Sequence, residues 1–344
     1  MAQADDIITL DKGAYRLQVQ LAGSAYGVVW RAAALDGTPD VALKLINQAQ
    51  MARAQPALQA RWAASAANEI AFLKSLAPWD ERHIVRLLDS GVHDGLPVMA
   101  LELMERDLVR HVPVDRVQVL DWMGQVNQAL AKVHQYGWLY LDLKPANVLL
   151  TRHGAVKLAD FGTNRLRSAL PALAFAGTAS WQAPEQFFPN AQQHYDTDAR
   201  TDYFALGAMF YYLVTGGVPL RFCSDCGQAY REHQGGAASA MLGRTGGMGP
   251  TLHADEAALF MQRFAADDDD NDKRADATWC PAGGATQAAQ AALTLLRMLL
   301  AADRDARPQH ALQISRMLGA IRRQLQAPPP RLFAAAVHHT GSRA

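Results

Sequence analysis

Residues 140–162 read Tyr140-Leu141-Asp142-Leu143-Lys144-Pro145-Ala146-Asn147-Val-Leu-Leu-Thr-Arg-His-Gly-Ala-Val-Lys-Leu-Ala-Asp160-Phe161-Gly162, and this stretch decides how the chain is read. The pattern Asp-x-Lys-x-x-Asn followed by a second aspartate supplies a base for a hydroxyl, a cation, and hard oxygen ligands for a divalent metal. Upstream, Val41-Ala-Leu-Lys44 adds a strand lysine for phosphates, and downstream Ala183-Pro-Glu185 closes a segment on which a substrate can lie. Each motif alone is weak evidence. Their order along one chain is specific for phosphoryl transfer.

In this order the motifs resemble those of eukaryotic-type protein kinases of the serine/threonine class, from about Tyr15 to about Leu318. The resemblance implies a two-lobed α+β fold, and the residue pattern agrees. Short strands rich in Val, Leu and Tyr fill Tyr15–Glu102, interrupted by a helix-like stretch from about Ala57 to Leu76. After Asp107 apolar residues recur at helical spacing in Val117–Tyr136, Tyr203–Val214 and Ala288–Leu300. The expected organisation is an N-terminal extension (1–14), a kinase domain (15–318) and a C-terminal tail (319–344). Within the domain, a small antiparallel-sheet lobe with one main helix (about 15–102) meets a hinge (102–107) and a larger helical lobe (108–318), with the nucleotide between the lobes. Residues 221–286, punctuated by paired glycines and the acidic run Asp267–Asp270, read as an insertion in the large lobe.

The resemblance assigns the nucleotide site. Leu21-Ala-Gly23-Ser-Ala-Tyr-Gly27-Val-Val29 looks like the glycine-rich loop with two of its three glycines replaced, by Ala22 and Ser24, while Gly27 remains. Small residues there let backbone approach phosphates. Strand alternation puts Ala42 and Lys44 on one face. Ala42 would pack on adenine and Lys44 reach the phosphates, held by Glu69 of Asn68-Glu-Ile-Ala-Phe-Leu73. Leu101-Glu102-Leu103-Met104 resembles the hinge, with Leu101 as gatekeeper and Glu102 and Met104 lining the adenine edge. Asp107 would bond the ribose, and Val29 and Leu149 would sandwich the base together with Ala42.

For the chemistry, the resemblance makes Asp142 the base and Lys144 a cation for the transferred group. Asn147 and Asp160 would be ligands of Mg²⁺, and Thr178 a residue that bonds Asp142 and Lys144. Lys144 and Gly177-Thr178 favour serine/threonine over tyrosine acceptors. Glu185 and Arg307 resemble a buried ion pair, and Asp202 the helix aspartate that holds the catalytic-loop backbone. Tyr140 and Leu141 stand where His and Arg are usual. Tyr140 would still fill a hydrophobic column with Leu73, Leu87 and Phe161, but Leu141 removes the cation that reads a phosphorylated activation segment.

Composition bounds the rest. Lys plus Arg equals Asp plus Glu at 33 each, which provides no global charge to attract nucleic acid or an anionic membrane. The acidic start, without an apolar run after it, argues against export. The apolar run Tyr203–Val214 falls short of the roughly 20 residues that span a bilayer and reads as a buried helix. Three cysteines, an odd number, fit a reducing cytoplasm better than a disulfide framework. Cys223, Cys226 and Cys280 all fall in the insertion, where they read either as small buried thiols or, with His233 or His253, as a Zn²⁺ site. The expected function is Mg-ATP-dependent phosphorylation of protein Ser/Thr hydroxyls. The alternative is a pseudokinase scaffold that binds nucleotide poorly and uses the insertion for a partner. Oligomeric state and substrate identity are not written in the sequence.

Overall fold

The computed structural model describes residues 2–24, 27–54, 56–111, 115–169, 177–266 and 283–326. Six strands form one antiparallel sheet in the order β1-β2-β3-β4-β6-β5: β1 (Ile7–Thr9), β2 (Ala14–Gly23), β3 (Gly27–Ala34), β4 (Val41–Ile46), β5 (Leu87–His93) and β6 (Leu96–Glu102). Between β4 and β5 run the short α1 (Gln48–Met51) and the long α2 (Pro56–Ser75), whose bounds fall within a residue of the expected helix. Pro56 suits the first turn, where its missing N–H costs nothing, and the Ala-rich sequence after it favours helix.

The large lobe is helical, apart from the short strands β7 (Arg106–Asp107), β8 (Trp138–Leu139), β9 (Val148–Leu150), β10 (Val156–Leu158) and β11 (Arg165–Leu166). Its helices are α3 (Arg116–Gln135), α4 (Pro184–Phe187), α5 (Ala199–Val214), α6 (Arg221–His233), α7 (Ala237–Thr245), α8 (Ala254–Ala265), α9 (Gly283–Leu299) and α10 (Ala311–Gln326). Asp115 caps α3 by accepting the Val117 and Gln118 N–H groups, and Lys132 and His134 complement the dipole of its last turn. Helix α5 is apolar on every side and is accordingly buried from Thr201 to Tyr211. Among the described residues no helix is long and apolar enough to cross a membrane.

Two cores result. One runs from α2 through the whole large lobe. The other lies on the opposite face of the small sheet, where Leu17, Trp30, Leu43, Leu45 and Ala100 pack with Ile8 and Leu10. Residues of the expected N-terminal extension thus supply a strand and two core side chains, because β1 pairs with β2 in the register Ile8↔Tyr15. At the other end, α10 continues past 318 to Gln326 with Ile321 buried, so 319–326 belong to the helix and not to a tail. The expected insertion is likewise helical in its described part. Helix α6 lies so close to Ala179–Trp181 that a Cβ at Gly227 would come within 2.6 Å of Ser180 Oγ.

Candidate active site

Strand pairing decides which small-lobe side chains share the cleft, since residues directly opposite in an antiparallel ladder point to the same face. The pairs Ala22↔Val29, Val29↔Lys44, Lys44↔Met99 and Ala42↔Leu101 therefore put Ala22, Val29, Ala42, Lys44 and Leu101 on one face. Lys44 shows where that face looks. Its ammonium donates to Glu69 Oε2 at 2.8 Å and Oε1 at 3.1 Å on α2, and to Asp160 Oδ1 at 2.8 Å from the large lobe. Burial pushes the Lys44 pKa down, but Asp160 and Glu69 outweigh it and hold the ammonium above the usual lysine range. Burial raises Glu69 against the opposing pull of Lys44, whereas Lys44 lowers Asp160.

Leu21, Ala22, Gly23 and Ser24 are exposed at the end of β2. The Ser24 N–H donates to the Gly27 carbonyl at 2.8 Å and the Gly27 N–H to Ser24 Oγ at 3.1 Å, closing the turn. At the hinge Leu101 is buried, while Ala42, Met104 and Leu149 are half-buried and pack on the larger core. Asp107 pairs with Leu149 across β7 and β9. The Glu102 carboxylate bonds Lys157 and accepts the Arg86 N–H at 2.8 Å, so its side chain ties the hinge to β10.

Across the cleft, Asp142 Oδ2 accepts from Lys144 at 2.8 Å and from Asn147 Nδ2 at 3.0 Å, and Lys144 also donates to Thr178 Oγ1 at 2.7 Å. Among the described residues, Oδ1 of Asp142 is buried without a hydrogen-bond partner. Burial raises the Asp142 pKa, and Lys144 opposes that rise. The loop is suspended from α5. Asp202 accepts the Leu141 N–H at 2.7 Å and the Tyr140 N–H at 3.0 Å, and lies 2.8 Å from His134 Nε2. Leu141 and Asp160 both have positive φ, 65° and 58°, a conformation that side chains adopt only where surrounding contacts enforce it. Below, Arg307 forms the bidentate pair with Glu185 at 2.7 and 2.9 Å and stacks over Phe204.

The expected hydrophobic column is largely aromatic. Phe161 lies 5.2 Å from Tyr140 and 4.6 Å from Phe72, ring to ring. Leu73 is buried in the same core and Leu87 is half-buried against it.

The model of one protein family, described as the protein kinase domain, matches residues 15–316. The chain belongs to the protein kinase domain family. This kinase domain is similar over 226 residues, at 27% identity, to the serine/threonine-protein kinase PknL of Mycobacterium tuberculosis, covering 63% of this chain and 53% of the relative. It is 29% identical over 207 residues to PknB of Mycolicibacterium smegmatis and 30% identical over 206 residues to PknB of Mycobacterium leprae, covering 56% of this chain and 31% of the relative in each case. The matched region therefore spans about half the length of the PknL relative and about a third of the PknB relatives.

Of the two readings of the kinase domain's cysteines, the zinc site is not built by its described residues. Cys223 and Cys226 sit on α6 with both thiols buried, Cys226 Sγ lies 3.7 Å from Met241 Sδ, and burial drives both pKa values far up, away from the thiolate a metal needs. His233 instead lies on an ion-paired surface with Glu232 and Arg244, and His253 leads into α8. Cys280 and Asp267–Asp270 lie outside the described residues. Among the described residues no group of three or more His, Cys, Asp or Glu is placed to hold a metal ion. Cys226→Ser is expected to leave the metal content of untagged protein unchanged and to lower stability by about 1–3 kcal/mol through a buried hydroxyl without a good partner. Loss of one zinc per chain on that substitution would restore the metal reading.

One contact escaped the sequence reading. Ser65 donates its hydroxyl to the Gly162 carbonyl, while Glu69 Oε1 accepts the Phe161 N–H at 3.1 Å. The i, i+4 spacing puts Ser65 and Glu69 on one face of α2, which was the available signal. What that face meets is decided by the fold.

Proposed function

We propose that this kinase domain transfers the γ-phosphoryl group of Mg-ATP to serine or threonine hydroxyls of proteins. Its similarity to serine/threonine-protein kinases supports the acceptor class. The observation that carries the reading is the division of labour on Asp142, whose Oδ2 is held by Lys144 and Asn147 while Oδ1 has no donor among the described residues. A carboxylate so fixed can take the proton of an acceptor hydroxyl at Oδ1 as the hydroxyl oxygen bonds to phosphorus and the bond to the ADP leaving group breaks.

The donor set fits Mg²⁺. Asn147 commits its amide nitrogen to the Asp142 carbonyl and carboxylate at 2.9 and 3.0 Å, which leaves its oxygen for a hard cation, and Asp160 adds a carboxylate. When bound, the cation neutralises charge on the phosphates. Lys44, kept protonated by Glu69 and Asp160, would bind the phosphates. Lys144 would hold the transferring group and, through Thr178, register the acceptor. Val29, Ala42 and Leu149 would enclose the base, with the hinge backbone of residues 102–104 at its edge and Asp107 at the ribose.

Incubating the purified protein with labelled ATP, Mg²⁺ and a generic acceptor protein tests the proposal directly. Label on serine or threonine is the expected result. No transfer, with weak nucleotide binding, would instead return the scaffold reading.

Leu141 bears on regulation. Its side chain is apolar and buried, so it offers no charge to a phosphate on Thr163 or Ser168, and the Thr163 hydroxyl already donates to the Tyr140 carbonyl at 3.3 Å. Phosphatase treatment is expected to leave the rate within about twofold, whereas a tenfold fall, about 1.4 kcal/mol in the barrier, would mean another cation reads a phosphate there.

A further inference from the structure

Leu141 lacks the charge that would tie its loop to a phosphate, yet the loop is tied. Gln186, in the short helix α4 directly after Ala183-Pro184-Glu185, is buried and donates from Nε2 to the Leu141 carbonyl at 3.0 Å. Its Oε1 accepts the Ala183 N–H at 3.3 Å, which fixes the amide's orientation. The same carbonyl is crowded from the other side by Gly177. With φ of 96°, that glycine could not carry a Cβ, which would come within 2.7 Å of the Leu141 oxygen. The peptide joining Leu141 to Asp142 is thus held by the substrate-side segment. The peptide before it is held by Asp202 on α5. Two independent anchors on consecutive peptides define how the chain enters Asp142 while Leu141 stays in its left-handed conformation.

We propose that Gln186 is a positioning residue for Asp142, through which the substrate-side segment sets the direction of the base by an uncharged amide contact. This deepens the proposed kinase reading and rests on it. Losing the donor would free the Leu141 carbonyl to rotate and would misplace Oδ1 relative to an acceptor hydroxyl. The nucleotide contacts of Lys44 and Asp160 lie on other elements and would stay as they are.

Two variants separate the donor from the rest of the side chain. Gln186→Glu keeps size and the acceptor for Ala183 but cannot donate to Leu141 when ionised. Gln186→Met keeps approximate length and loses both bonds. For each, kcat, KM for ATP, nucleotide affinity and thermal melting are measured beside the wild type. The expected result is a fall in kcat of roughly tenfold to a hundredfold in both, the scale on which small misplacement of a reacting group acts. KM for ATP and nucleotide affinity should stay within about twofold of wild type, an interval well under the tenfold step of 1.4 kcal/mol. Wild-type kcat in Gln186→Glu overturns the proposal, whatever Gln186→Met does, because the Leu141 contact would then be dispensable. So does loss of nucleotide binding and melting temperature together with kcat in Gln186→Glu, which would make the residue part of the general fold. Should Gln186→Met fail to fold, Gln186→Glu alone decides. An inactive wild type would defeat the kinase reading itself and is distinguished by the control in every assay.

Discussion

Asp142→Ala is expected to lower phosphoryl transfer by roughly 10²–10⁴-fold, the usual contribution of a positioned general base, while nucleotide affinity stays close to wild type. The two effects separate because Asp142 contacts Lys144 and Asn147, whereas the cleft lysine is held by Glu69 and Asp160. Asp160→Ala should weaken Mg-dependent nucleotide binding as well as transfer, since it removes a proposed metal ligand and one of two partners of Lys44. Steady-state rates beside equilibrium titration with a fluorescent nucleotide distinguish the two variants. Undiminished transfer by Asp142→Ala would sink the assignment. The pH dependence has a definite sign. Burial raises the Asp142 pKa despite Lys144, so the active carboxylate is lost as pH falls through a value above that of an ordinary aspartate. The acid limb of the rate profile should sit correspondingly high.

The second large effect concerns stability. Arg307 has no exposed side-chain surface, and its guanidinium serves Glu185 together with the carbonyls of Arg200, Ala301 and Ala302. Arg307→Ala strands the Glu185 carboxylate in a largely enclosed site and should cost about 3–5 kcal/mol in chemical denaturation. Glu185→Gln combined with Arg307→Met should recover part of that loss, because a matched neutral pair no longer leaves a buried charge unpaired. A loss under about 1 kcal/mol for the single variant, typical of exposed pairs, would show that the ion pair is hydrated and peripheral.

Much of this site was legible because kinase motifs are local in sequence and their partners lie at fixed steps in the fold. Lys44 and Asp160 announce themselves by their neighbours, and Glu69 by its helix. The contacts of Ser65 and Gln186 were not legible, since each side chain meets a backbone carbonyl, and a carbonyl leaves no mark on residue type. The Gln186 oxygen follows a capping pattern that a sequence can display, but its nitrogen reaches a loop far away in the chain. The N-terminal residues misled for another reason. Ile8 and Leu10 make too short an apolar pattern to signal a strand until β2 is there to pair with it. The paired glycines of 221–286 suggested loops, and Gly246 does end α7 in the left-handed conformation, whereas Gly283 and Gly284 open α9.

The suspension of the catalytic loop from Asp202 has a consequence for how the molecule breathes. Helix α5 is among the most deeply enclosed elements, so releasing the Tyr140 and Leu141 amides means opening the large lobe's core, a high-energy excursion. The end of β2, Leu21–Ser24, is exposed and can open at little expense. The loop at Tyr140–Asp142 and the exposed end of β2 therefore belong to different cooperative units. On the proposed reading, nucleotide would enter and leave through cheap local openings while the Asp142 carboxylate keeps its place.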